Sequence, residues 1–412
     1  MATFPRRFGK YVLLRPLAKG GMGEIYMAAL GQIGGFEKLC VIKKVIGEKA
    51  DAGKAKRFLD EAKVVLRLSH SALVNTFDAG QVGDEFYIAM EMVEGKDLRE
   101  AWNRCVRMRQ RISIEVALHI GREVARALAY VHTYGDLKLV HRDIAPPNIM
   151  LAYNGDVKLT DFGLARSALK EEHTKPGVVF GRAAYLAPEQ ARGEVADART
   201  DIYSLGVVLW ELLTGHQYLS IAGLDPAAAL SLVRHPKPMP PSSRAPWITA
   251  NLDTVVMRAL APDRKQRYQS AEEFRLALAE VIAQVAPRAD SARVVELMQI
   301  IYRDVIEEEQ GERERMLKEV IPAFRASAPE PEEPPPAPVE PPRGKPADDG
   351  PSDRTPSHPT GSRLPGVTPQ RDPVERRHAR REAALRVIAE LAVEDASLSP
   401  PPDVARGPAS SR

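Results

Sequence analysis

"VHRDIAPPNIMLAYNGDVKLTDFG", residues 140–163, holds two aspartates, Asp143 and Asp161, eighteen positions apart. The residues between them read as a loop, a strand, a turn at "NGD" and a second strand. Asn-Gly favours the positive φ values of a tight hairpin, and apolar residues flank it on both sides. A segment that doubles back in this way brings both carboxylates to one cleft.

The residues upstream have strand periodicity. "YVLLRPLA", "EIYMAAL" and "KLCVIKKV" alternate between residues 11 and 45, with a glycine-rich turn between the first two. "AKRFLDEAKVVLRL" at 55–68 switches to a helical period, and "EFYIAMEMV" at 85–93 returns to strand. From about residue 97 helices dominate, as in "ISIEVALHIGREVARALAYVH" at 112–132 and "AEEFRLALAEVIAQV" at 271–285. The pattern predicts an α+β protein of two lobes over 11–285: a small β-rich one over about 11–94 and a larger helical one over about 95–285.

Composition narrows the function classes. A chain of 412 residues with 44% hydrophobic and 27% charged side chains can bury a large core. A net charge of only +3 gives no footprint for nucleic acid. Cys40 and Cys105 lack metal or disulfide spacing, which fits a reducing, cytoplasmic setting. The N-terminal residues lack a signal-peptide core. The most apolar run, "IYSLGVVLWELLTG" at 202–215, is shorter than the ~20 residues of a membrane span and contains Glu211, so it reads as a buried helix.

Beyond the two lobes, residues 291–325 carry a helical stripe of Val294, Leu297, Met298, Ile301 and Val305, interrupted by "EEEQGERER" and resumed at Met316, Leu317, Val320, Ile321 and Phe324. This is a helical extension that packs on the main body or, as the alternative, dimerises. Residues 327–373 are proline-rich and too poor in apolar residues to offset ordering entropy, so they read as a disordered linker. Residues 374–396 have the pattern of a short amphipathic helix and 397–412 that of a disordered tail; the linker and this helix are candidate partner-binding elements.

Several motifs occur in a fixed order: "LAKGGMGEIYMA" at 17–28, "CVIK" ending at Lys43, "HRDIAPPN" at 141–148, "DFG" at 161–163, "APE" at 187–189, "DIYSLG" at 201–206 and "DRKQRY" at 263–268. Together they resemble the eukaryotic-type (Hanks-type) serine/threonine protein kinases of bacteria over about residues 11–285. The resemblance implies a two-lobed kinase fold and transfer of the γ-phosphoryl of ATP to Ser or Thr hydroxyls of protein substrates, in signalling. Magnesium is the implied metal, with manganese as a substitute.

The resemblance also assigns roles. Asp143 accepts or orients the proton of the substrate hydroxyl, Asn148 and Asp161 hold the metal, and Lys43, fixed by Glu61, grips the α and β phosphates. Lys44, on the other face of its strand, is expected in solvent. The nucleotide site comprises Leu17, Ala18, Lys19, Gly20, Gly21, Met22, Gly23, Glu24 and Ile25 of the hairpin, with Val41, Met90, Glu91, Met92 and Leu151. Glu189 pairs with Arg267, and Asp201 caps the catalytic-loop backbone. Thr174, then Ser167, is the expected autophosphorylation site.

Three departures stand out. Ala18 replaces the first glycine of the hairpin, Ala145 replaces the lysine two places after the catalytic aspartate, and Arg182 replaces a threonine after Gly181. Arg182 is the candidate for the missing cation. Alanine at 145 also occurs in tyrosine kinases, but Pro147 stands where those loops carry a compensating arginine, and "AAYLAPE" resembles the serine/threonine type. The alternative function is a pseudokinase or scaffold that binds partners through the kinase fold and tail without efficient turnover.

Overall fold

The computed structural model describes residues 3–20, 23–31, 37–45, 62–135, 139–161 and 180–327. Glu61, Ser167, Thr174 and the stretches 328–373, 374–396 and 397–412 lie outside the described residues, as do Gly21 and Met22 of the hairpin turn.

An antiparallel six-stranded sheet forms the first lobe: β1 (Arg6–Phe8), β2 (Tyr11–Gly20), β3 (Gly23–Leu30), β4 (Lys38–Val45), β5 (Thr76–Val82) and β6 (Glu85–Glu91), ordered β1-β2-β3-β4-β6-β5. The alternation read from the sequence sets its two faces. Tyr11, Leu13, Tyr26, Ala28, Cys40, Ile42, Tyr87 and Ala89 bury one side of the sheet. Lys44 belongs to this buried side, which overturns its expected exposure. Only 3% of its side chain is accessible; its ammonium pairs with Glu85 at 2.8 Å and lies 4.3 Å from the centre of the Phe8 ring. A lysine can occupy a core edge when its stem packs and its charge meets a carboxylate and an aromatic face.

The second lobe starts with a small sheet, β7 (Gly95–Asp97), β8 (Ile149–Ala152) and β9 (Val157–Leu159), in that order. Its main helices are α1 (Leu98–Arg107), α2 (Ile114–His132), α3 (Ala198–Thr214), α4 (Ala250–Ala259) and α5 (Ala271–Val285). The apolar run 202–215 forms most of α3, and every residue from Thr200 to Thr214 is buried, as expected for a helix surrounded by others. Asp197 and Thr200 close a capping box at its start, and Gly215 takes a left-handed φ of 72° at its end.

The helical extension packs on both lobes. It comprises α6 (Ser291–Arg315), a π-helical turn (Met316–Val320) and α7 (Ile321–Ser327). Val294, Leu297, Met298 and Ile301 join the core of the second lobe. Met316 and Ile321 bury with Val12, Leu14, Met27 and Ala29 on the other side of the first-lobe sheet. A bend at Tyr302 (φ −130°, ψ 16°) lies between the two contact regions. The apolar stripe is thus occupied within the chain, on both lobes.

The extension starts against the β8–β9 turn. Gly155 there has φ +93°, and a Cβ at this position would strike the Ser291 carbonyl oxygen and come within 2.9 Å of Val295 Cγ2. Gly155→Ala is therefore expected to lower stability by about 1–3 kcal/mol. Chemical denaturation of both proteins measures this, and an unshifted midpoint would show that the start of α6 is not seated on the turn.

Candidate active site

Asp201, at the start of α3, anchors the loop carrying Asp143. Its fully buried carboxylate accepts hydrogen bonds from the backbone N–H of His141 (2.8 Å) and Arg142 (2.7 Å), and from His132 Nε2 at 2.8 Å. Arg142 is held at φ 67°, a costly value for a residue with a Cβ. His141 accepts the Asp143 N–H at Nδ1 (3.3 Å), so Nε2 carries the proton it donates to the Thr160 carbonyl at 3.0 Å. That second bond ties the loop to the end of β9, next to Asp161.

Four charged side chains meet where these segments converge. Asn148 Nδ2 donates to both the Asp143 carbonyl (2.7 Å) and Oδ2 (3.0 Å). Arg182 Nη1 lies 2.9 Å from the same Asp143 Oδ2. Lys43 Nζ, from β4, lies 2.7 Å from Asp161 Oδ1. Asp161 takes a positive φ of 57°. Burial works to raise its pKa, but the charge and hydrogen bond of Lys43, helped by Arg182, outweigh burial and hold the carboxyl below its ordinary value. The expected Glu61 partner of Lys43 lies outside the described residues. Ala145 is buried in the core beside the loop, so the cation at Asp143 comes from Arg182 and not from the loop itself.

A cleft of about 380 Å³ opens between the lobes from the Lys43–Asp161 pair. Leu17, Ala18, Ile25, Val41, Lys43, Met90, Glu91 and Met92 line it, as expected. Lys19 and Glu24 do not; they pair with each other at 2.8 Å near the hairpin turn. Gly20 and Gly23 face each other across the ends of β2 and β3. Leu151 requires a correction: it is buried in the second-lobe core, and its neighbour Met150 lines the cleft, because successive strand residues point to opposite sides. Val74, Val93 and Thr160 also line the cleft without having been singled out; Val93 ends the apolar run 85–93, which was the available signal.

Two buried polar contacts brace the site from below. Glu189 forms a two-point ion pair with Arg267 (2.8 and 2.9 Å), both side chains fully buried. The Tyr185 hydroxyl donates to Glu211 at 2.5 Å and accepts from Arg99 at 2.7 Å.

Residues 11–275 match the family model described as the protein kinase domain. The chain belongs to this family. It is 36% identical over 277 residues to the tyrosine-protein kinase MasK of Myxococcus xanthus, covering 66% of this chain and 43% of that protein. It is 36% identical over 295 residues to the serine/threonine-protein kinase PknB of Mycolicibacterium smegmatis, covering 70% and 45%. The crystal structure of the Mycobacterium tuberculosis PknI kinase domain superposes with a TM-score of 0.53 at 28% identity, over 69% of this chain and all of that one. The chain spans less than half the length of these curated relatives.

Protein kinases use ATP with a divalent metal ion, typically Mg²⁺. The donor set fits such an ion. Asp161 offers carboxylate oxygen, and the amide of Asn148, whose nitrogen donates to Asp143, offers its oxygen. Among the described residues no three His, Cys, Asp or Glu side chains gather to cage a metal. Mg²⁺ takes few protein ligands and completes its shell with water and phosphate oxygens. Also among the described residues, no helix is long and apolar enough to cross a membrane.

The Lys43–Asp161 pair carries a pH signature. A carboxyl whose folded pKa lies below its unfolded value, about 3.9 for Asp, adds stability above that value and loses it as pH falls through the folded pKa. In Lys43→Met the burial stays and the compensating charge goes. The stability deficit against wild type should be largest at neutral pH and shrink as pH falls, first as the variant's Asp161 protonates and finally as pH passes the lowered folded pKa of Asp161 in the wild type. Denaturant midpoints across pH measure it, and a deficit independent of pH would rule out the pair as its origin.

Proposed function

We propose that the chain is an ATP-dependent protein kinase that phosphorylates serine and threonine hydroxyls. What carries the reading is the tie from Asp143, gripped by Asn148 and Arg182, through His141 and Thr160 to the Lys43–Asp161 pair that lines the cleft. Asp143 takes the proton of the incoming hydroxyl as its oxygen attacks the γ-phosphorus and the bond from that phosphorus to the β–γ bridging oxygen breaks, releasing ADP. Asn148 and Arg182 hold it in place through the oxygen they share. Lys43 binds the α and β phosphates, and Leu17, Ile25, Val41 and Met150 enclose the base. Asn148 and Asp161 are the metal ligands; the ion, when bound, neutralises charge on the β and γ oxygens.

Arg182 takes the part left open by Ala145. A guanidinium stays protonated, and its several N–H groups can hold Asp143 and a phosphoryl oxygen together. Serine or threonine as acceptor is favoured by Pro147 in the loop and by the burial of Tyr185 against Glu211. MasK is named a tyrosine kinase, so phosphoamino-acid analysis of the products is the direct check on the acceptor. Cys40 and Cys105 are free and buried, their thiols pushed up to about 12 and about 11 by that burial, which leaves them unreactive. Phosphate on Thr174 or Ser167, with Arg142 as its partner, is the regulatory event this reading includes. The proline-rich linker and terminal helix bind partners in it; both parts rest on sequence alone.

Two substitutions test the mechanism with labelled ATP, Mg²⁺ and a serine-containing peptide. Asp143→Asn should reduce kcat by about 10²-fold or more. Wild-type turnover in that variant would remove Asp143 from the chemistry, whereas no turnover in the wild type would leave the scaffold reading in its place. Arg182→Ala should also cost about 10²-fold in kcat if the guanidinium stabilises the transferring phosphoryl. If it only reads the peptide, the change appears in peptide KM, with kcat unaltered.

A further inference from the structure

The cleft wall farthest from the kinase motifs belongs to the extension. Glu309, Glu312 and Arg313, near the C-terminal end of α6, line the same cleft as Leu17, Lys43 and Asp161. All three lie beyond residue 275, where the family match ends. Each is tied to a different segment around the cleft. Glu312 grips Arg15 of β2 through two contacts (Nε at 3.0 Å, Nη2 at 3.1 Å), and Arg15 itself lines the cleft. Arg313, only 9% of whose side chain is accessible, pairs with Glu94 at 2.8 Å in the segment joining the lobes. Glu309 takes Lys96 of β7 at 2.7 Å and the Tyr153 hydroxyl at 2.9 Å.

We propose that residues 309–313 are part of the nucleotide site, and that Glu312, by holding Arg15, is a positioning residue that keeps β2 closed over the bound nucleotide. The inference rests on reading the cleft as the nucleotide site. β2 carries Leu17 and Ala18 and runs into the glycine turn, so the height of this strand sets how tightly the base and phosphates are covered. A strand held only by its sheet neighbours can lift. One also tied at Arg15 to a helix rooted in the second lobe resists lifting, because lifting must break a charge-assisted hydrogen bond in an ion pair that is two-thirds shielded from water. The helix in turn cannot follow the strand freely, since Val294, Leu297, Met298 and Ile301 are buried in the second lobe. Pre-set closure of this kind raises affinity by lowering the ordering cost of binding.

The test uses the full chain and isothermal titration with ADP and Mg²⁺. Arg15→Glu and Glu312→Arg each place like charges face to face and should weaken ADP binding by about five- to twentyfold, the range of coupling between directly paired charges. The double exchange, Arg15→Glu with Glu312→Arg, restores an opposite pair and should return affinity to within about threefold of wild type. Asp304→Ala is the control: it removes an exposed ion pair of the same helix with Arg104 that does not line the cleft, and ADP affinity should not move. The proposal is overturned if the single exchanges bind ADP as wild type does. It is also overturned if the double exchange recovers nothing, or if Asp304→Ala weakens binding as much as Glu312→Arg does. Wild-type protein that binds no ADP would overturn the nucleotide reading itself, a result distinct from all three.

Discussion

One buried carboxylate sets the geometry on which the rest depends. Asp201 gathers two consecutive backbone N–H groups and an imidazole, and two N–H groups can converge on one carboxylate only if the chain turns sharply. The turn forces Arg142 to φ 67°. Charge-assisted hydrogen bonds in a dry interior are strong enough to maintain such a conformation. Asp143 follows immediately, so its backbone is placed from below by a helix, while Asn148 and Arg182 orient its carboxylate. The His141 bond to Thr160 then passes the same constraint to Asp161.

Glutamates beneath the site show how the surroundings decide what a buried carboxyl does. Burial presses both Glu189 and Glu211 toward the neutral form. At Glu189 the Arg267 guanidinium, directly bonded, outweighs that pressure and the pKa falls below its ordinary value. At Glu211 the direct donors are the Tyr185 hydroxyl and the Tyr218 backbone N–H, burial wins, and the pKa rises. The first is a fixed ion pair that locks residues 187–191 to the following helices. The second is a softer contact that holds the buried Tyr185 hydroxyl in place.

Much of the site was legible because it depends on short-range pattern. The spacing from Asp143 to Asp161 with "NGD" between them specifies a hairpin, and β8 and β9 form it. Lys43 and the Glu189–Arg267 pair likewise stand in local sequence contexts that name them. Other features were hidden for physical reasons. β5, "TFDAGQV", has polar and small residues where an alternating strand would show apolar ones, since it lies on the sheet edge. Period two separates the faces of β8 but does not say which face meets the cleft, so Leu151 stood in for Met150. The path of α6 across both lobes is set by a bend at Tyr302 and by contacts hundreds of positions apart, which no local window contains.

Adjacent lysines in "VIKKV" give β4 an interchangeable look: a slip of one residue along its neighbours would still present an ammonium to the cleft. The environment of Lys44 forbids the exchange. β4 is paired on both sides, to β3 and β6, so a slip would break two ladders at once. It would also turn Cys40 and Ile42 out of the aromatic side of the sheet and drive Lys43 into it. Lys44, clasped by Glu85 and the Phe8 ring, therefore works as a register pin. The strand has one lysine that meets Asp161 and one that keeps the first from being misplaced, and neither can substitute for the other.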